Sequence, residues 1–344
     1  MDQKRRTFLK QAGAVGTVAV AGGAGALKTD DAHAAKAGNG ARPEAPVMPK
    51  NMMLLTLRNG EAFSLGIKTA KGVLDVRKAA KAFKSNAPIT IDALIAGGDQ
   101  GLTDLLNKAL AASNVKGLFL DESKIEFGPC VTNPEKILCV GLNYAKHIRE
   151  VGQQIPKQPI LFNKYNNALN MHLGTVRVSS MPAEKFDYEA ELVIVMGRRA
   201  HNVSEAEALS YVFGYANGND FSARDLQSRS SQWMIGKTCD GFALVGPYLV
   251  TADLVGDPNN LKIECTVNGE VRQSSNTSDM IFNCAQIISY TSKLMTLEPG
   301  DIIYTGTPEG VINGYPKDKQ VWLKAGDKLT TSIEKLGEMR FRVV

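Results

Sequence analysis

Two glutamates two residues apart, Glu189 and Glu191, are the first sign of chemistry in this chain. They stand in Asp187-Tyr188-Glu189-Ala190-Glu191-Leu192-Val193-Ile194-Val195-Met196-Gly197, and the span 186–197 reads as a strand. On a strand the period of two turns both carboxylates to one face. Like charges so placed repel unless water or a cation lies between them. A polar strand face in water is one reading. The run Leu-Val-Ile-Val-Met, apolar on both faces, argues for burial, and buried paired carboxylates need compensation that a hard divalent metal supplies.

A third oxygen ligand is on offer at Asp220, at the end of the strand-like Gly214-Tyr215-Ala216-Asn217-Gly218-Asn219-Asp220. An N-cap of the helical turn that follows is the alternative role for this residue. On that turn Arg224 and Gln227 are three apart and face the same space. Farther upstream, His147 and Glu150 share one face of a helical turn, where a carboxylate orients an imidazole and raises its basicity. That pair reads either as a general base with its partner or as a surface ion pair. Lys237, flanked by Gly236 and Gly241, can stabilise an anion. Thr307 sits in the glycine loop Thr305-Gly306-Thr307-Pro308-Glu309-Gly310, and Lys164 is a further basic candidate.

The elements that must position these residues are mostly short strands. Residues 53–76 alternate apolar and polar side chains and read as small strands, followed by helical stretches at 77–83 and 101–113. Residues 136–141 form a buried strand, and Ser204 with Glu207 has the spacing of a capping box opening a helix through residue 212. Residues 261–267 and 270–272 make a hairpin about Asn268-Gly269, the helix 279–295 is the longest of its half, and 301–306 is a strand running into a glycine loop. Many strands with few helices predict an α+β, β-rich roll or sandwich. The expected organisation is a leader at 1–34, a linker at 35–50, a small domain at 51–130 and a larger domain at 131–344.

The leader expectation rests on Arg5-Arg6 before Phe8-Leu9, an Ala/Gly/Val run, and Ala32-His33-Ala34. These features in order read as a twin-arginine signal peptide cleaved after Ala34, with a periplasmic destination and no stable membrane anchor. Without that segment the net charge falls from +5 to +3, with no Lys/Arg block, which predicts no nucleic-acid partner. Five cysteines without CxxC spacing argue against a disulfide framework and a zinc site.

Taken in order, Gly141-Leu142-Asn143-Tyr144-Ala145-Lys146-His147, DYEAEL from Asp187, GNDFSARDLQ from Gly218, GKTCDGF from Gly236 and PGDIIYTGTPEGV from Pro299 resemble the fumarylacetoacetate hydrolase superfamily, particularly its acylpyruvase-like branch. The likeness covers residues 137–344, and residues 53–129 resemble the small N-terminal domain of many members. It implies a mixed β-sandwich roll paired as a homodimer. It further implies Glu189, Glu191 and Asp220 as ligands of Mg²⁺ or Mn²⁺, His147 with Glu150 as the water-activating dyad, and Lys237, Arg224, Gln227 and Thr307 holding the carboxylate and oxo groups of a small 2-oxo acid. Tyr165-Asn166-Asn167 departs from the proline and small residues common in relatives, at a segment bordering the substrate pocket.

The activity implied is hydrolysis of a C–C bond in a 2,4-dioxo acid through a metal-stabilised enolate. Decarboxylation or isomerisation of an oxaloacetate-like acid would use the same intermediate. A non-catalytic oxo-acid binding protein and a structural Ca²⁺ site are the rival classes; the positioned base speaks against the first, and the filled acid–base, metal and anion-binding roles speak against both.

Overall fold

The computed structural model describes residues 46–344 apart from Asn114. The leader read at 1–34 and most of the linker lie outside these residues. Strands β1 (Met53–Asn59), β2 (Ala62–Thr69) and β3 (Gly72–Asp75) form a meander, then come helices α1 (Val76–Phe83), α2 (Ile91–Gly97) and α3 (Leu102–Ala111), and the short β4 (Phe119–Leu120). Asp75 caps α1 through Lys78 N, and Thr90 caps α2 through Ala93 N. The sequence reading lacked α2. Its seven residues give too short a periodic run to stand out, with Thr90 at its N-cap and Gly98 at its C-cap as local marks.

The second stretch contains β5 (Ile137–Gly141), α4 (Ala145–Glu150), β6 (Ile160–Lys164), β7 (Leu169–Asn170), β8 (Thr175–Val176), β9 (Phe186–Asp187) and β10 (Ala190–Met196). After α5 (Glu205–Ala208) follow β11 (Val212–Asp220), β12 (Ser222–Ala223), α6 (Arg224–Gln227), α7 (Met234–Lys237), β13 (Ala243–Thr251) and α8 (Ala252–Val255). The chain closes with β14 (Lys262–Val267), β15 (Glu270–Asn276), α9 (Cys284–Leu294), β16 (Ile302–Tyr304), β17 (Lys328–Ile333) and β18 (Gly337–Val343).

An eleven-stranded mixed sheet runs β4-β3-β2-β1-β13-β11-β10-β16-β5-β6, with β7 parallel to β13. A second sheet runs β15-β14-β17-β18-β8. Because β1 pairs antiparallel with β13, Leu54 opposite Leu249, the N-terminal meander continues the sheet that carries the glutamates. The result is the mixed α+β, sheet-rich fold expected, with no closed barrel among the described residues.

The large sheet is buried on both faces. Leu192, Ile194 and Met196 of β10 pack with Ile263 and Cys265 of β14, Phe341 of β18, and Ile287 and Ile288 of α9. Val193 and Val195 face the other way, into a core with Leu54, Ile91, Leu94 and Leu105 from the N-terminal strands and helices. That explains the unbroken apolar run in β10, since a strand covered on both faces loses its alternation.

Two local expectations need correction. The strand read across residues 186–197 is interrupted at Tyr188 and Glu189, because side chains take the place of ladder partners there. Asp187 Oδ1 accepts from Tyr188 N at 2.9 Å, and Asn219 Oδ1 accepts from Glu189 N at 3.3 Å. Ser204 and Glu207 make no capping box, since Ser204 Oγ donates to the Glu207 carboxylate at 2.7 Å instead of accepting from backbone. A capping box does form where none was read, between Asn283 and Gln286, and it starts α9 five residues later than the helix expected at 279.

Candidate active site

One cavity of about 790 Å³ opens between the large sheet, the short helices and the loops beside them, and His147, Glu189, Glu191, Arg224, Lys237 and Thr307 all line it. Gln227 lines it too. Asp220 and Lys164 lie behind its wall, 0% and 2% exposed.

The acidic floor comes from neighbouring strands. Glu191 is on β10 with Glu189 just before it, and Asp220 ends β11, where Ala190 stands opposite Asn219. That pairing brings one oxygen from each carboxylate within 4.8 Å of the others, and all three groups are buried. A strand face in water is therefore not their environment. Nor is Asp220 a cap, since Ala223 holds the N-cap position of α6.

Three buried cations answer these charges. Lys237 donates to Glu189 and, at 2.9 Å, to Asp220 Oδ2. Arg224 Nη2 lies 2.7 Å from Glu189 Oε1. Lys164 Nζ lies 2.5 Å from Asp220 Oδ1 and donates to the carbonyls of Phe221 at 3.2 Å and Phe242 at 2.9 Å. Lys164 thus faces the acidic cluster from behind, while Lys237 and Arg224 reach the cavity.

Glu189 and Glu191 experience this surrounding differently. Burial works to raise Glu189, but Arg224 and Lys237 outweigh it and hold the carboxyl below its usual range. Burial raises Glu191 well above that range, and repulsion from Asp220 and Glu189 adds to the effect. Its Oε2 accepts from Gly306 N at 2.6 Å, a neutral donor. Gly306 adopts φ +104°, which an L side chain rarely takes, so glycine is needed to aim that N–H. Glu191 is the carboxylate whose negative charge lacks a cation partner among the described residues. A buried, all-oxygen donor set with one unbalanced carboxylate fits a hard divalent cation.

Helix α4 carries Glu150 and His147, and His147 lines the same cavity. His147 Nδ1 lies 2.8 Å from Glu150 Oε1, and Glu150 Oε2 accepts from Gly310 N at 2.9 Å. His147 is 6% exposed, so the pair is no surface ion pair. Lysine 237 is placed by a close approach. A Cβ on Gly236 would stand 2.4 Å from Gln227 N and 2.5 Å from Ala223 O, so glycine lets α7 pack directly on α6. Thr307 Oγ1 donates to Ala190 O at 3.0 Å and accepts from Gln273 Nε2 at 2.9 Å.

Two residues shape the site without having been singled out from sequence. Gln273 also accepts from Ala190 N through Oε1 at 3.0 Å, which ties Thr307 to the start of β10. Asp187, 0% exposed, accepts from Arg224 Nε at 2.9 Å. Asp187 had a legible signal, since 187, 189 and 191 keep the strand period. Gln273 had none, because β15 lies in a different sheet from the glutamates.

Known proteins place this arrangement. A Dictyostelium discoideum homolog of fumarylacetoacetate hydrolase domain-containing protein 2 is 48% identical over 217 residues, 60% of this chain and 70% of that protein. A mitochondrial oxaloacetate tautomerase of Bos taurus is 41% identical over 286 residues, 81% of this chain and 87% of its own length. Among solved structures, fumarylacetoacetate hydrolase from Exiguobacterium antarcticum is 30% identical with a TM-score of 0.71, covering 85% of this chain and 99% of that one. Fumarylpyruvate hydrolase from Pseudomonas aeruginosa, solved with Mn²⁺ and pyruvate, is 34% identical with a TM-score of 0.56, covering 64% and 91%. The comparison corrects one expectation. Relatives that carry a location in their names are mitochondrial, in Bos taurus and in Homo sapiens, which overturns the periplasmic export read from Arg5-Arg6. Residues 136–344 match the family described as fumarylacetoacetate (FAA) hydrolase, C-terminal, and with a buried acidic triad and an oriented histidine at one cavity this chain is an enzyme of that family.

Proposed function

We propose that the enzyme moves a proton on a small, enolisable 2-oxo acid of the oxaloacetate class. The observation that carries this reading is that a buried three-carboxylate cluster and an oriented histidine line or back the same cavity. The tautomerase relative, 41% identical across most of both chains, supports the choice of substrate.

Glu189, Glu191 and Asp220 would hold Mg²⁺ or Mn²⁺. When bound, such a cation supplies Lewis-acid polarisation of the substrate's oxo and carboxylate oxygens. Arg224 and Gln227, and the ammonium of Lys237, would bind and orient the carboxylate, with Thr307 closing the oxo side. Lys164 would hold Asp220 in place from behind. With Nδ1–H directed at Glu150, His147 presents Nε2 as the base that takes the proton from the carbon next to the oxo group and returns it to oxygen.

A second reading is favoured by the dyad's form. His147 could instead take a proton from water, and attack on a carbonyl two carbons away would cleave a 2,4-dioxo acid, in line with the fumarylpyruvate hydrolase relative. Pairing as a homodimer belongs to the same proposal and is read directly by light scattering.

The test presents the metal-loaded enzyme with oxaloacetate and with acylpyruvates, in Mg²⁺ and in Mn²⁺. Accelerated keto–enol exchange with intact carbon skeleton supports the first reading, and release of pyruvate from acylpyruvates supports the second. Metal binding without acceleration of either reaction would overturn both.

A further inference from the structure

The Asp187 carboxylate makes four contacts and each reaches a different part of the site. Oδ1 accepts from Tyr188 N at 2.9 Å and Ile312 N at 2.8 Å. Oδ2 accepts from Asn313 N at 3.0 Å and Arg224 Nε at 2.9 Å. The Arg224 guanidinium is thereby fixed at its inner corner, with Nη1 donating to Gln227 Oε1 at 3.1 Å and Nη2 on Glu189. Nε and Nη1 are thus each held by a hydrogen bond, while the buried Nη2 meets Glu189 as an ion pair, and the second N–H of Nη1 remains for a ligand.

The backbone that Asp187 holds leads to Glu150. Two residues before Ile312, Gly310 N donates to Glu150 and Gly310 O accepts from Tyr188 Oη at 2.8 Å. The loop from Gly310 to Asn313 is therefore pinned at one end by the histidine's partner and at the other by the arginine's partner. A buried carboxylate with four donors is held rigidly, since losing any of them leaves a polar group unsatisfied.

We propose that Asp187 is a positioning residue: it orients Arg224 for a substrate carboxylate and, through Ile312 and Asn313, fixes the loop that seats Glu150. One carboxylate thus sets the spacing between the anion-binding fork and the base. The inference rests on the reading of Arg224 as the carboxylate binder.

The test compares Asp187→Asn, Arg224→Gln and the double variant for pyruvate binding to the Mn²⁺-loaded enzyme, with Mn²⁺ affinity measured separately. Asparagine keeps the shape but turns an N–H₂ toward donors. Asp187→Asn should weaken pyruvate binding by roughly tenfold or more, the usual worth of a charged hydrogen bond. KM should rise, kcat should fall as Glu150 loses its seat, and Mn²⁺ affinity should stay within about twofold. The double variant should bind pyruvate no worse than Arg224→Gln, because one interaction is removed twice. A purely structural role would lower the melting temperature without this KM-against-kcat pattern.

Weak binding by Arg224→Gln with wild-type binding by Asp187→Asn would overturn the inference and leave the functional reading standing. Wild-type binding by Arg224→Gln would overturn both. Should Asp187→Asn fail to fold, Arg224→Lys decides the matter with Asp187 intact. Lysine keeps the charge but lacks the fork, so it should lose pyruvate affinity about as much as Arg224→Gln, and wild-type affinity there would overturn the inference.

Discussion

Glu191 and Asp220 belong to two central strands of a sheet buried on both faces, Glu189 directly precedes one of them, and lysines and an arginine surround the three. His147 and Glu150 ride on a six-residue helix tied to loop segments, with Gly310 N donating to Glu150 and Lys146 N donating to Asp279. One wall of the cavity is therefore made of the core, where removing a paired carboxylate unbalances buried charge. The other wall is a local device resting on loops. The contrast teaches that the carboxylate wall and the fold share an energy, while the histidine wall depends more on the loops beside it.

The largest effect should come from Asp220→Ala. It strands Lys164 and leaves Lys237 with Glu189 alone, and breaking a buried ion pair costs about 3–5 kcal/mol. Divalent-ion binding, activity and much of the stability should be lost at once, as read by calorimetry with Mn²⁺ and by thermal melting. Glu191→Gln sharpens the point from the other side, because Glu191 lacks a cation partner among the described residues. It should abolish metal binding while leaving the metal-free protein at least as stable. Wild-type Mn²⁺ affinity in either variant would break the assignment of this wall.

The charge of Glu191 also sets a pH dependence. Its carboxyl is raised in the folded protein, so the native state keeps a proton that the unfolded chain releases. Stability of the metal-free protein should then be fullest below the usual carboxylate range and fall as pH rises through the raised value. Melting temperatures recorded across that window should decline in the wild type and flatten in Glu191→Gln. An equal decline in both would place the titration elsewhere.

The histidine wall should behave differently. His147→Ala or Glu150→Gln should lower turnover by roughly 10²–10⁴-fold, the worth of a positioned base, with Mn²⁺ affinity and melting temperature nearly unchanged. A large loss of metal affinity would show that the two walls are not separable. The smallest effect should be seen in Gly236→Ala, where the new methyl meets the backbone of α6. Overpacking of this kind costs about 1–3 kcal/mol and should push Lys237 from its carboxylates, measured as a lower melting temperature with weakened pyruvate binding.

Local chemistry was legible without coordinates. The i, i+2 glutamates, the His147–Glu150 spacing and the Asn268-Gly269 hairpin are short-range features, because strand and helix periods fix them within a few residues. The hairpin forms with positive φ at both turn residues, as its composition requires. The class of the fold was also legible from many short apolar runs. What interrupts β10 at Glu189 was not, because the competing acceptor, Asn219, lies thirty residues away in sequence.

By itself the sequence determined which groups exist and how neighbours along one element face each other. Only the tertiary structure decided which carboxylate each cation meets. Lys164 reads from sequence as one more basic side chain, yet β6 and β11 place it behind Asp220, where it meets carbonyls and a carboxylate instead of the cavity. Asp187 reads as a flanking acid, yet the loop after β16 and the helix α6 converge on it from segments 37 and 125 residues away. Pairings across such distances follow from sheet order and from the requirement that every buried charge find a partner, and neither is written in local periodicity.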